Sequence, residues 1–164
     1  MARLFLILAL TIAALPATAP RAWAADKGFY EGLQAFNAGQ FNEAAGIWAP
    51  LAQGGDAKSE NSLGLLYYTG FGVERDYDRA RGLFLSAAEQ GVVQAQMFLA
   101  LMYYKGDGVK RDNKIAYVWS DIADTAGFAE AANFRAMLAD ALSPGEIEEA
   151  RQLAAEWRAY YARH

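Results

Sequence analysis

Residues 55–91 read GDAKSENSLGLLYYTGFGVERDYDRARGLFLSAAEQG, and residues 91–127 read GVVQAQMFLALMYYKGDGVKRDNKIAYVWSDIADTAG. The second stretch repeats the first at one fixed offset. Leu63, Gly64, Tyr67, Tyr68, Gly70, Gly72, Val73, Asp76, Ala80 and Ala87 return 36 positions later as Leu99, Ala100, Tyr103, Tyr104, Gly106, Gly108, Val109, Asp112, Ala116 and Ala123. A period of this length marks a stacked array of small units rather than a single closed core.

Each unit reads as two helices. Over residues 56–69 the positions Ala57, Leu63, Gly64, Leu66 and Tyr67 follow a helical spacing, not the alternation of a strand. Gly70 and Gly72 end that helix, because glycine accepts the left-handed backbone of a helix terminus. Asp76 stands just ahead of Ala80, Leu83, Phe84 and Ala87, where its carboxylate can accept from free backbone N–H groups. The second copy predicts the same order: helix to Lys105, break at Gly106 and Gly108, cap at Asp112, then Ala116, Trp119 and Ala123. A helix pair of about 14 residues per helix has too little apolar surface to fold alone, so neighbours must stack.

The run Leu63-Gly64-x-x-Tyr67-x-x-Gly70-x-Gly72-Val73-x-x-Asp76-x-x-x-Ala80, closing on Ala87-Ala88-Glu89-Gln90-Gly91, resembles the Sel1-like repeat, a relative of the tetratricopeptide repeat. The second copy departs from it at Ala100, in place of the first glycine, and over residues 124–127. The resemblance implies an all-α fold, a right-handed α-α superhelix of stacked antiparallel helix pairs. It also implies protein–protein interaction as the mode of action, with Leu63, Gly64 and Tyr67 as packing residues.

The flanks extend the array. Residues 32–36 and 41–52 form a helix pair about the turn Asn37-Ala38-Gly39, with Trp48 and Leu51 facing inward. Ala131, Phe134, Leu138 and Leu142 give one more amphipathic helix, which departs from the repeat because Arg135 falls where Leu63 and Leu99 stand. Ser143-Pro144-Gly145-Glu146 is a capping box with proline at the first helical position. The last helix presents Ile147, Ala150, Ala154, Trp157 and Tyr161 on one face and closes the stack as the eighth. The expected division is a leader over 1–24, an N-terminal capping pair over 25–54, repeats over 55–90 and 91–127, and C-terminal capping helices over 128–164.

The leader is expected because Arg3 precedes an apolar run from Leu4 to Leu15, followed by Pro16 and the small-residue site Ala22-Trp23-Ala24. About 12 apolar residues fall short of the roughly 20 that cross a bilayer. Cleavage after Ala24 makes a periplasmic or secreted protein the expectation, with no membrane attachment. Loss of Arg3 and Arg21 leaves 13 basic against 19 acidic residues, a net charge of −6. An acidic chain without a basic stripe does not suit nucleic acid or anionic lipid. The chain has no cysteine, so stability in an oxidising compartment rests on packing.

Residues with chemistry are few. Gly70-x-Gly72 and Gly106-x-Gly108 lack the preceding strand and the Gly-Lys-Ser/Thr of phosphate-binding loops, so they read as repeated turns. Asp107, Asp112, Asp121 and Asp124 lack the ligand alternation of a calcium loop. The only histidine is His164. Without cysteine or an internal histidine the usual nucleophile and zinc chemistry loses its parts. No catalytic residue, metal or cofactor is therefore expected. Asp121 with Asp124 is the acid pair that a cell-wall hydrolase would use, and that is the alternative function. A dedicated inhibitor or structural partner of one periplasmic enzyme is another.

The binding residues come from what the repeat leaves free. Asn61, Leu65 and Tyr68 lie at i, i+4 and i+7, on a different helix face from the packing set. Met97, Leu101 and Tyr104 repeat that face in the second unit. In related helical-repeat proteins this face lines the concave side. Tyrosine combines apolar area with a hydroxyl, and methionine adapts its shape, so the six residues suit an extended protein or peptide partner. The leucines serve equally well as buried packing, and the outer helices offer a surface for weak self-association.

Overall fold

The computed structural model describes residues 21–161, and among these there are eight helices and no strand. They are α1 Arg21–Asn37, α2 Phe41–Gln53, α3 Ala57–Thr69, α4 Tyr77–Glu89, α5 Val93–Lys105, α6 Asn113–Thr125, α7 Ala129–Ala139 and α8 Pro144–Tyr161. The expected leader lies outside the described residues except for 21–24, which open α1; His164 lies outside them as well. No helix of the described residues is long and apolar enough to cross a membrane.

Sequence signals set the helix ends. Asp56, Asp76 and Asp112 each accept from the backbone N–H three residues on, at 2.8, 3.0 and 3.0 Å. The N–H groups of Asp76 and Asp112 donate to the carbonyls of Tyr67 and Tyr103, both at 2.9 Å, which folds each even helix back along its odd partner. Gly70 and Gly106 close α3 and α5 in the left-handed region, at φ of 79° and 82°. At the far end Ser143 and Glu146 form a reciprocal box. The Ser143 N–H and hydroxyl donate to Glu146 Oε2 at 2.8 and 2.7 Å, and the Glu146 N–H donates to Ser143 Oγ at 3.3 Å.

One expectation shifts here. Leu142 does not extend α7, which ends at Ala139. The N–H groups of Ala141 and Leu142 bond back to Leu138 and Ala139 in a tight turn, because the box at Ser143 and Pro144 must start a new helix at once. Leu142 still packs on the core from that turn.

α1 and α2, α3 and α4, and α5 and α6 pack in antiparallel pairs, each of these even helices also lies against the next odd one, and α8 packs on α6. Apolar burial divides between a cluster around Trp48, Leu63 and Leu66 and a larger one from Ala80 to Ala154. Inside the first two pairs a glycine of the odd helix meets an aromatic ring of the even helix. A Cβ on Gly32 would stand 2.3 Å from the Trp48 indole nitrogen, and one on Gly64 would stand 2.9 Å from the Phe84 ring. In the second repeat those two positions hold Ala100 and Ser120, both fully buried. The missing glycine of the second copy thus has its counterpart: the ring that required it has become a hydroxymethyl group. Gly64→Ala should cost about 1–3 kcal/mol through this overlap, and most of that cost should vanish in a Phe84→Ser background. A double-mutant cycle by urea denaturation measures the coupling; strictly additive costs would show that the two positions do not compensate.

The second glycine of each turn joins units. A Cβ on Gly72 would lie 2.4 Å from Asn42 N and from Phe41 C, and one on Gly108 would lie 2.5 Å from the Cβ of Tyr77. The Gly-x-Gly turns therefore seat each unit on the first residues of the preceding even helix.

Buried polar groups follow the same period. Glu60 on α3 is 5% exposed, and its carboxylate accepts from the Ser86 hydroxyl of α4 and from the amide of Gln90, the residue that caps α4, both at 2.8 Å. Burial raises its pKa above the ordinary carboxylate value, with the two hydrogen bonds acting in the opposite sense. Its counterpart Gln96 donates to the Ala88 carbonyl at 3.4 Å.

Candidate binding groove

Between α5 and α7 lies a groove of about 440 Å³, walled by Met97, Phe98, Leu101, Phe128 and Phe134 with Gln94 and Glu130 at its edge. Its walls follow from helical spacing: Met97 and Leu101 stand one turn apart on α5, and Glu130 and Phe134 one turn apart on α7. Phe128 occupies the N-cap position of α7, which is Asp56 in the first repeat and Val92 in the second. Phe128 and Val92 make no side-chain cap bond. Apolar packing has replaced capping at this point of the array.

The equivalent junction one repeat earlier is filled. Phe98 stacks on Phe84 at 4.7 Å between centroids and 11° between planes, and Tyr68 closes over both at 6.0 and 6.4 Å. The Tyr68 hydroxyl donates to Asp107 at 2.6 Å, and Lys105 reaches it at 3.5 Å. Burial, and then the Asp107 carboxylate, push its pKa well above the ordinary tyrosine value. Phe134 is the residue 36 after Phe98, yet Ser120 stands where Phe84 does, so the stacking surface under the ring is gone. Phe134 meets the edge of Tyr104 at 5.5 Å instead, with the Arg111 guanidinium 5.5 Å over the tyrosine ring.

The six residues of the expected face therefore fall into two groups. Met97 and Leu101 line the groove, and Tyr104 borders it through Phe134. Asn61, Leu65 and Tyr68 belong to the closed junction. All three are half-buried, the Asn61 Oδ1 is shielded from solvent, and Tyr68, expected to stand free for a ligand, is committed to Asp107 because a carboxylate occupies the turn position that holds Phe71 one repeat earlier. The sequence reading missed Phe98, Phe128, Phe134, Gln94 and Glu130. The recurrence of Phe98 as Phe134, carried into the degenerate third unit, was the signal that could have found two of them.

A second cavity, of about 550 Å³, lies where α4, α6 and α8 end. There the Tyr161 hydroxyl donates to Glu89 at 2.7 Å, and that bond pushes its pKa up to about 12. The acid pair Asp121 and Asp124 is bound to arginine. Asp121 accepts from Arg135 at 2.7 Å and from Arg158 at 2.9 Å, and Asp124 pairs with Arg135 at 2.9 Å. Asp121 is 6% exposed because Arg135 of α7 and Arg158 of α8 cover it. Among the described residues no group of three or more His, Cys, Asp or Glu side chains is placed to hold a metal ion.

Comparison with known proteins agrees with this architecture. The family model of the Sel1 repeat matches residues 57–92 and 93–123. A protective antigen present in uropathogenic Escherichia coli strains, which displays an SLR fold, superposes with a TM-score of 0.80 at 27% identity, over 85% of this chain and 31% of its own. A Sel1 repeat protein from Oxalobacter formigenes superposes with a TM-score of 0.64 at 27% identity, over 85% of this chain and 58% of its own. The chain thus spans about a third of the first relative's length and somewhat over half of the second's. No curated protein matches the chain. Two adjacent Sel1 repeats thus lie at the centre of the eight helices of the described residues, in a solenoid similar to those of Sel1 repeat proteins.

Proposed function

We propose that this chain is an exported, non-catalytic adaptor that docks a protein or peptide segment in the groove between α5 and α7. The observation that carries the reading is the groove itself: Met97, Phe98 and Leu101 of α5 and Phe128 and Phe134 at α7 line an open apolar cleft, at the junction where Ser120 stands in place of the Phe84 ring. Sel1-repeat folds typically serve as protein-interaction scaffolds, and a preformed site of this kind orders little of itself on binding. The carboxylates that hydrolysis would need are tied to Arg135 and Arg158. A groove this small sits at the low end of interface sizes, where affinities are modest.

The test is affinity capture from cell-envelope extract with the leaderless chain beside Leu101→Glu, a half-buried position whose charge would enter the groove. The expected result is a partner retained by the parent and lost by an equally helical variant. Equal retention would place the binding surface elsewhere on the solenoid. Fractionation of cells expressing the full chain tests export; a product confined to the cytoplasm with its leader intact would overturn that part.

A further inference from the structure

The cavity of about 550 Å³ where α4, α6 and α8 end is separate from the groove, and its polar parts agree in sign. Its inner wall is buried and apolar at Ala88 and Ile122. The ends of α4 and α6 open on it at Glu89 and Thr125, and a helix C-terminus is the negative end of its dipole. Two charged residues line it. Arg158 is already paired: it donates to Asp121 at 2.9 Å and to Thr125 at 3.3 Å, inside a set of two arginines and two aspartates. Glu89 pairs with no cation among the described residues, and accepts only from the Tyr161 hydroxyl. Gln96 of the lining is 3% exposed; its amide nitrogen donates to the Ala88 carbonyl, and its Oε1 is left without a hydrogen-bond partner. On the α8 side stand Trp157 and Tyr161, one turn apart, with ring centroids separated by 4.4 Å.

We infer that this cavity binds an organic cation, a primary or quaternary ammonium group on a short apolar stem. The stem lies against Ala88 and Ile122. The ammonium faces Glu89 and the rings of Trp157 and Tyr161, since an aromatic face attracts a cation within about 6 Å of its centroid. The two helix ends and the unpaired Gln96 carbonyl add negative potential. A metal ion fits less well, because it takes several oxygen ligands and a single carboxylate lines the cavity. The volume lies within the range of small-ligand sites, about 300–1,000 Å³. A free amine and a lysine side chain of a bound protein carry the same recognised group.

The Trp157 indole N–H resonance of the purified chain reads binding, with that of Trp48 as internal reference. Choline should shift it saturably. The neutral isostere of choline, in which a tert-butyl group replaces trimethylammonium, should bind about tenfold more weakly. Glu89→Gln keeps an acceptor for Tyr161 and should weaken choline binding about two- to fivefold at unchanged helicity. Nα-acetyl-lysine amide distinguishes the sources: binding at least as tight as that of choline assigns the site to a lysine-bearing partner, and weaker binding to a free quaternary amine. Equal affinity for choline and its neutral isostere, an unchanged affinity in Glu89→Gln, or no saturable shift with either ammonium compound would overturn the inference.

Discussion

Gly72→Ala should destabilise the fold by about 3 kcal/mol, although it adds a single methyl group. The estimate joins two costs. An L-residue in the left-handed region loses roughly 1–2 kcal/mol, and Gly72 sits at φ 70°. The added Cβ would also stand 2.4 Å from the backbone of Phe41 and Asn42, so the turn must lift from the start of α2. The molecule contains its own control. Gly39 has φ 77°, but a Cβ there meets nothing within 4 Å, so Gly39→Ala should show the conformational cost alone, about 1 kcal/mol. Equilibrium urea denaturation of both variants separates the terms. Equal losses would mean that the turn is not pressed against α2, and that the spacing of units is set elsewhere. Gly108→Ala, facing Tyr77 in the same way, should follow Gly72→Ala.

That contact shows what a repeat sequence makes legible. The 36-residue period placed both helix pairs, and the caps at Asp76 and Asp112 were readable because capping is a local matter of a carboxylate and three residues of backbone. The second glycine of each turn was visible only as a breaker. Its approach to the preceding unit lies between positions about 30 apart in sequence, and no local pattern reports it. Tyr68 and Tyr104 illustrate the same gap. They are equivalent by period, but Tyr68 is bound by Asp107 and flanked by Phe84, while Tyr104 turns its edge to Phe134. Helical spacing gave the right side of α5 for Met97 and Leu101. Which junction is open depends on Phe84 against Ser120, on the other helix of each pair.

The C-terminal end departs furthest from the period, and there the expected effect is of similar size: Asp121→Ala should cost about 2–4 kcal/mol. Arg135 occupies the position of Leu63 and Leu99, so at this point α7 meets α6 through a charge where the earlier units use an apolar side chain, beside the buried Ala131 and Leu138. Asp121 takes over that role. Its carboxylate accepts from Arg135 of α7 through one oxygen and from Arg158 of α8 through the other, so one buried side chain ties three helices together. Removing it leaves two guanidinium groups facing an apolar gap, which for fully buried pairs costs about 3–5 kcal/mol. Both arginine side chains are about a third exposed and can recover part of their hydration, which lowers the figure. Asp124 makes one bond to Arg135 from a more exposed position, so Asp124→Ala should cost about 1 kcal/mol or less. Chemical denaturation of the two alanine variants gives the ratio, and equal losses would sink the account of Asp121 as the tie. The consequence reaches the groove, because Phe134 neighbours Arg135 on α7. Asp121→Ala should therefore weaken peptide binding between α5 and α7 while leaving the closed junction around Tyr68 and Phe98 as it is, which Tyr68 ring resonances in an NMR spectrum would report.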